Sequence, residues 1–181
     1  MRDVLLIVDV LDDFAHEHGE ELLSSFAETQ PALVELLESV RRAELPIVFA
    51  NDNKGVWDGD VNGIVQRAFN GKGGQLVRSV SPRRGERFVV KPRYSAFDHT
   101  PLELILEALE CQRLLLAGID HRRVLPKTAI DARELGLKVS VVPEACATVN
   151  RENEETALRY LVDVVGVQLA SQDEVVAQSS N

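Results

Sequence analysis

Residues 4–10 form a nearly unbroken apolar run, Val-Leu-Leu-Ile-Val-Asp-Val, with one carboxylate, Asp9, near its end. A strand that is apolar at nearly every position is buried on both faces. A chain that opens this way needs helices above and below a sheet. The pattern repeats: apolar runs at 46–50, 88–91, 113–118, 138–142 and 166–170 alternate with amphipathic stretches. The amphipathic stretches are expected to form helices over 31–43, about 61–69, 124–135 and 150–164. Thr100 as cap, Pro101 at the first helical position and Glu103 two residues later predict a further helix to about residue 109. This βα alternation predicts a doubly wound, Rossmann-like, mainly parallel sheet of six strands with helices on both faces. No linker or internal repeat divides the chain, so a single domain over 1–181 is expected, with a frayed tail at 178–181.

Composition narrows the function. A net charge of −9 argues against a general nucleic-acid binder, whose footprint is basic. No apolar stretch reaches the length of a membrane span. No secretory leader is evident, because an acidic residue soon ends the first apolar run, and a cytoplasmic location is expected. The two cysteines, Cys111 and Cys146, have no metal-type spacing. Of the histidines, His16 and His18 follow Asp9 in one polar loop. His99 and His121 are scattered, and no metal site is expected.

In open parallel sheets ligands bind outside the carboxyl ends of the strands. That rule selects Asp9 at the end of the first strand, Lys91 at the end of the third and residues 118–124 after the fourth. A carboxylate and a lysine brought together there form a candidate acid–base pair. For each residue alone the plainer alternative is a solvated surface charge. Val124 stands at the first turn of a helix after a buried strand, where α/β enzymes commonly place a nucleophile. Its side chain has no heteroatom.

The run Lys91, Pro92, Arg93, Tyr94, Ser95, Ala96, Phe97, followed by Thr100 to Glu103, resembles the isochorismatase-like hydrolase superfamily. Asp9 with Asp13 and Phe14, the stretch from Gly118 through Thr128, Ala129, Ile130, Asp131 and Ala132, and Val141 to Ala145 are similar to it as well. The resemblance covers residues 4–170. It implies the doubly wound fold, homo-oligomers, and a site with Asp9 and Lys91 as two members of an Asp–Lys–Cys triad. The cysteine of that triad belongs at Val124. The zinc site of relatives that deamidate nicotinamide finds no histidine in the matching stretch, Ala50 to Lys54, so no cofactor is expected.

Neither thiol is an evident replacement. Cys111 precedes the fourth strand, about 17–20 Å from the crevice at the opposite edge of the sheet. Cys146 is expected in the loop after the fifth strand, on the correct edge, and leaves a displaced-thiol amidohydrolase as one alternative. Two subgroups of the superfamily, the isochorismatases of siderophore and of phenazine biosynthesis, also lack the cysteine and hydrolyse an enol ether without a covalent intermediate. The resemblance therefore implies acid–base hydrolysis of a small carboxylated substrate by Asp9 and Lys91. Phe14, Arg93, Tyr94, Phe97, Arg122 and Arg123 are the expected substrate contacts, the arginines as carboxylate clamps. The other alternative is an inactive family member whose crevice binds a small molecule or a protein partner. Residues 54–78 are expected to form a lid or interface.

Overall fold

The computed structural model describes residues 2–56, 60–92, 94–120 and 124–179. Six strands, β1 (Asp3–Val8), β2 (Ile47–Asp52), β3 (Arg87–Lys91), β4 (Arg113–Asp120), β5 (Lys138–Thr148) and β6 (Gln168–Leu169), form one parallel sheet in the order β3-β2-β1-β4-β5-β6. Chain order runs outward from β1 to β3 and then returns to the other side of β1. The switch point therefore lies between β1 and β4, where doubly wound sheets open a crevice at their carboxyl edge.

Strand β1 shows why the fold is doubly covered. Leu5 and Ile7 join one apolar cluster with Phe26, Leu33 and Leu37 of α1 (Gly19–Arg42). Val4, Leu6 and Val8 join a second cluster with Leu102 and Leu106 of α4 (Leu102–Ala108) and Leu125 and Ala129 of α5 (Val124–Glu134). All of these β1 side chains are fully buried. A period-2 side-chain alternation with both faces packed requires an apolar residue at every position.

Several boundaries differ from the sequence reading, for physical reasons. Helix α1 begins at Gly19, not at Pro31, which lies exposed inside it. Leu22 and Phe26 extend the buried stripe of Leu33, Leu36, Leu37 and Val40, and that packing outweighs the backbone bond proline cannot make. Residues 54–78 are more than a lid. They carry α2 (Val61–Asn70) and most of α3 (Gly74–Val80), whose Ala68, Val77 and Val80 are core residues. Helix α4 starts one residue later than the sequence suggests, with Pro101 and not Thr100 in the capping position, while the Thr100 hydroxyl accepts from the Leu102 amide at 3.2 Å and donates to the Ala96 carbonyl.

Strand β5 does not stop at Val142. Leu116 pairs with Val141 but Gly118 pairs with Cys146, so residues 142–145 bulge and the strand resumes to Thr148. Helix α6 (Arg151–Tyr160) continues as a π-helical turn (Leu161–Val165). A last helix, α7 (Gln172–Ser179), buries Val175 in the first cluster, where the sequence suggests only a frayed tail from residue 178. No helix among the described residues is long and apolar enough to cross a membrane.

Candidate active site

Three chain segments reach the switch point. Asp9 follows β1 in a left-handed conformation, φ 54°, which L-residues adopt at a cost. Its amide donates to the Ala50 carbonyl at 2.9 Å, and its Oδ1 accepts from the Asp52 amide at 2.9 Å. The carboxyl is thus fixed against the end of β2. Its other oxygen, Oδ2, lies 2.8 Å from Lys91 Nζ. Strand β3 is two strands away from β1, a separation of about 10 Å. Only a side chain as long as lysine or arginine closes it, and Lys91 does so while 1% exposed.

Gly118 is on the third. It pairs with Val8 two residues before the end of β4, with φ 127°. A Cβ there would meet the Val8 carbonyl oxygen at 2.2 Å. The absence of a side chain lets β4 run against β1 directly behind Asp9. Past it, α5 opens at Val124, 3% exposed.

Burial raises the Asp9 pKa to about 6. The Lys91 charge and hydrogen bond and the Asp52 amide pull the other way without cancelling it. The carboxyl is therefore an acid that exchanges its proton near neutrality.

These groups face a cavity of about 330 Å³, which Leu11, Asp12, Asp13, Ala15, His16, Asn51, Asp52, Lys54 and Tyr94 complete. The connection from β1 to α1 is tightly held. Asn51 exchanges hydrogen bonds with both the Leu11 amide and carbonyl, at 2.9 and 3.2 Å. Lys54 Nζ lies 2.7 Å from Asp13 and 3.4 Å from Asp12, tying this connection to the one after β2. Burial of Asp13 raises its pKa, but the Lys54 hydrogen bond and the cations around it prevail and hold it below the usual carboxylate value.

Of the residues expected at the site, Asp9, Lys91, Val124 and the exposed Tyr94 meet at this crevice. Phe14 does not line it. The Phe14 ring is 1% exposed and tilted against Phe26 at 5.7 Å, because the φ 54° turn at Phe14 directs it under α1. Phe97 packs against the second apolar cluster and lines a separate small cavity with Leu106 and Cys111. Arg93, Arg122 and Arg123 lie outside the described residues, as does His121.

Cys146 is not in a loop. It sits in β5, 4% exposed within the second cluster, and its Sγ is 3.2 Å from the Val142 carbonyl oxygen. Cys111 stands before β4 at the opposite edge of the sheet. Burial, with the Asp3 charge, pushes its thiol up to about 11. No cysteine is among the described residues lining the crevice. His18 is a surface residue beside Glu17 and Glu21, whereas His16 faces the cavity. The described residues hold no cluster of three or more histidine, cysteine or acidic side chains placed to bind a metal ion.

Comparison with known proteins identifies the family. The isochorismatase domain family matches residues 3–173. The chain belongs to the isochorismatase family. Among curated relatives, the uncharacterized isochorismatase family protein YaaI of Bacillus subtilis (strain 168) is 27% identical over 172 residues, which is 95% of each chain. The ureidoacrylate amidohydrolase RutB of Stutzerimonas stutzeri (strain A1501) is 25% identical over 192 residues, covering 88% of this chain and 75% of that one. Among solved structures, N-carbamoylsarcosine amidase from Thermoplasma acidophilum superposes with a TM-score of 0.73 at 26% identity, covering 96% of this chain and 98% of that one. The six-stranded parallel sheet with its helices is an α/β fold that matches isochorismatase-like structures.

Proposed function

We propose that this isochorismatase family member hydrolyses a small carboxylated enol ether by acid–base chemistry, without a covalent intermediate. One observation carries the reading: a buried carboxyl with a pKa of about 6, Asp9, opens on the crevice beside Lys91. The resemblance that assigns the superfamily's cysteine to position 124 supports it, because Val124 has no heteroatom. Protonated Asp9 donates to the terminal vinyl carbon, and water adds to the resulting oxocarbenium ion. Lys91 holds the carboxyl in place and presents positive charge to the substrate. No side-chain nucleophile enters the sequence of steps.

Four aspartates line the crevice: Asp9 is paired with Lys91, and Asp12 and Asp13 with Lys54, while Asp52 adds a further carboxylate, so an anionic substrate depends on added positive charge. Arg93, Arg122 and Arg123 remain the proposed carboxylate clamps.

Relatives with amidase names make amides the competing substrates. A panel of isochorismate and simple amides, assayed with wild type and Asp9→Asn, separates the two. We expect turnover of isochorismate that Asp9→Asn lowers about 1,000-fold, with one solvent deuterium in the methyl group of released pyruvate in D2O. Turnover of amides alone contradicts the reading. Thermal stabilisation by isochorismate with no turnover would identify a binding protein that has kept the crevice.

A further inference from the structure

The Asp9–Lys91 reading leaves one carboxylate of the crevice unmatched. Asp9 faces Lys91 at 2.8 Å, and Asp12 and Asp13 share Lys54 at 3.4 and 2.7 Å. Asp52 lines the same cavity and forms no ion pair with a described residue. A carboxylate on a half-buried wall is costly unless positive charge reaches it.

Its backbone and one of its oxygens are fixed. The Asp52 amide donates to Asp9 Oδ1 at 2.9 Å, and Asp52 Oδ1 accepts from the Lys54 amide. The turn that presents the Lys54 amide is held in its own right: Asn53 Oδ1 accepts from the Gly55 amide at 2.9 Å, and the Asn53 amide donates to the Lys91 carbonyl at 3.2 Å. Asp52 Oδ2 accepts from no described residue, and the half-buried side chain leaves it open to the cavity. A water or a substrate atom can therefore reach it. The two neighbouring carboxyls lie in unlike environments. Asp9 is buried, and burial raises its pKa to about 6, with the Asp52 charge adding to the rise. Two such carboxyls divide the roles of acid and of counter-charge to an oxocarbenium ion. The hydrolysis of a vinyl ether puts positive charge on the ether carbon only as the proton moves. A carboxylate facing that carbon stabilises the transition state and repels a carboxylated ground state by the same charge.

We propose that Asp52 is the second catalytic carboxylate of this site, facing the positive charge that develops on the ether carbon and taking the proton of the attacking water at Oδ2. This rests on the acid–base reading given above. The Asp9 O–H bond breaks as a C–H bond forms at the terminal vinyl carbon, and the ether carbon becomes an oxocarbenium ion opposite Asp52. Water adds to that carbon and loses one proton to Asp52 Oδ2, leaving a hemiketal. The C–O bond to the leaving alcohol then breaks. Asp52 returns its proton to the alcohol oxygen, and the hemiketal hydroxyl proton goes to the Asp9 carboxylate. A ketone and an alcohol leave, and both carboxyls return to their starting states.

The test is Asp52→Asn and Asp52→Ala, assayed on isochorismate beside Asp9→Asn. Asparagine keeps the acceptor for the Lys54 amide and the backbone bond to Asp9, and removes the charge. We expect kcat to fall about 100-fold in Asp52→Asn with KM unchanged or lower, because a repulsion of the bound substrate goes with the charge. In Asp52→Ala, formate restores part of the loss and formamide does not. Without the Asp52 charge Asp9 ionises more readily, so the limb of the kcat/KM profile near pH 6 moves to lower pH. The other titratable groups on the cavity wall are Lys91, Asp12 and Asp13 with Lys54, His16 at 3.4 Å from Asp12, and Tyr94, and the substitution changes none of them. Unchanged kcat in Asp52→Asn overturns the assignment while Asp9→Asn still lowers turnover. So does a rise in KM at constant kcat, which marks a contact to a donor group of the substrate. A limb that stays in place, or a loss in Asp52→Ala that formate and formamide restore alike or that neither restores, also overturns it. Full activity in Asp9→Asn, or a wild type inert on isochorismate, overturns the underlying reading and this inference with it.

Discussion

The two edges of the sheet each carry a largely buried ion pair, and the pairs differ in geometry. At the amino edge, Asp3 and Arg113 are direct register partners on β1 and β4, joined by two charge-assisted hydrogen bonds, one of them 3.0 Å from Nε to Oδ1. At the carboxyl edge, Asp9 and Lys91 meet across an intervening strand at one 2.8 Å contact. Asp3 lies in regular strand backbone, whereas Asp9 is held at φ 54°. The first pair is a bidentate staple on the side where strands begin. The second has a strained carboxyl, a single cation contact and an opening to a cavity. The same residue chemistry staples strands at one edge and is proposed to react at the other, and topology sets the difference, because doubly wound sheets open their crevice at the carboxyl edge.

The comparison breaks most visibly by exchanging an amide for each acid in turn. Asp9→Asn should lose about 1,000-fold in kcat on isochorismate while remaining folded. Asp3→Asn should keep kcat and lose about 2 kcal/mol of stability in denaturant unfolding, since it removes a charged partner from a mostly buried guanidinium. Loss of activity in Asp3→Asn would mean that the edges are not separate in function.

Gly118 tests whether the reactive edge depends on the close approach of β4 to β1. With φ 127° and the Val8 carbonyl oxygen 2.2 Å from where an added methyl group would sit, Gly118→Ala should cost about 3 kcal/mol. A variant as stable as wild type in a denaturant melt would show that the two strands have slack behind Asp9.

The pH dependence sharpens the same contrast. Because Asp9 is needed protonated and its pKa is raised to about 6, kcat/KM should fall about tenfold per pH unit above that value. The sign for stability follows from the same shift. The native state binds this proton more tightly than the unfolded chain, so the contribution favours folding below the ordinary carboxylate pKa and is lost as pH rises through about 6. Asp13 has the opposite sign. Its lowered pKa supports folding above the ordinary carboxylate value and is lost as the solution is acidified through the folded one. The smallest expected effect is at Val124. Val124→Ala widens the crevice by two methyl groups and should change kcat/KM on isochorismate by less than about tenfold.

Asp9 and Lys91 are legible in the sequence because both rules that select them are topological: an apolar run broken at its end, and a lysine at the end of a later strand. The sheet itself is legible for the same reason. What escapes is whatever tertiary packing decides. Pro31 inside α1 reads as a helix start because local propensity cannot know that Leu22 and Phe26 share its buried stripe. The bulge that carries β5 through Pro143 to Cys146 depends on its pairing with Gly118. Phe14 looks like a crevice aromatic because it follows Asp9 closely, but its turn conformation sends it into the core. His16 is visible as a loop histidine two residues from His18. Nothing in that spacing shows that one faces the cavity with an aspartate and the other faces solvent.

The most direct measurement of the central claim is the pH profile of kcat/KM on isochorismate, taken with and without iodoacetamide. A deprotonation limb near pH 6 that disappears with Asp9→Asn, and no effect of the alkylating agent, are the expected results. A profile flat through about pH 8, or activity that iodoacetamide removes, would contradict it.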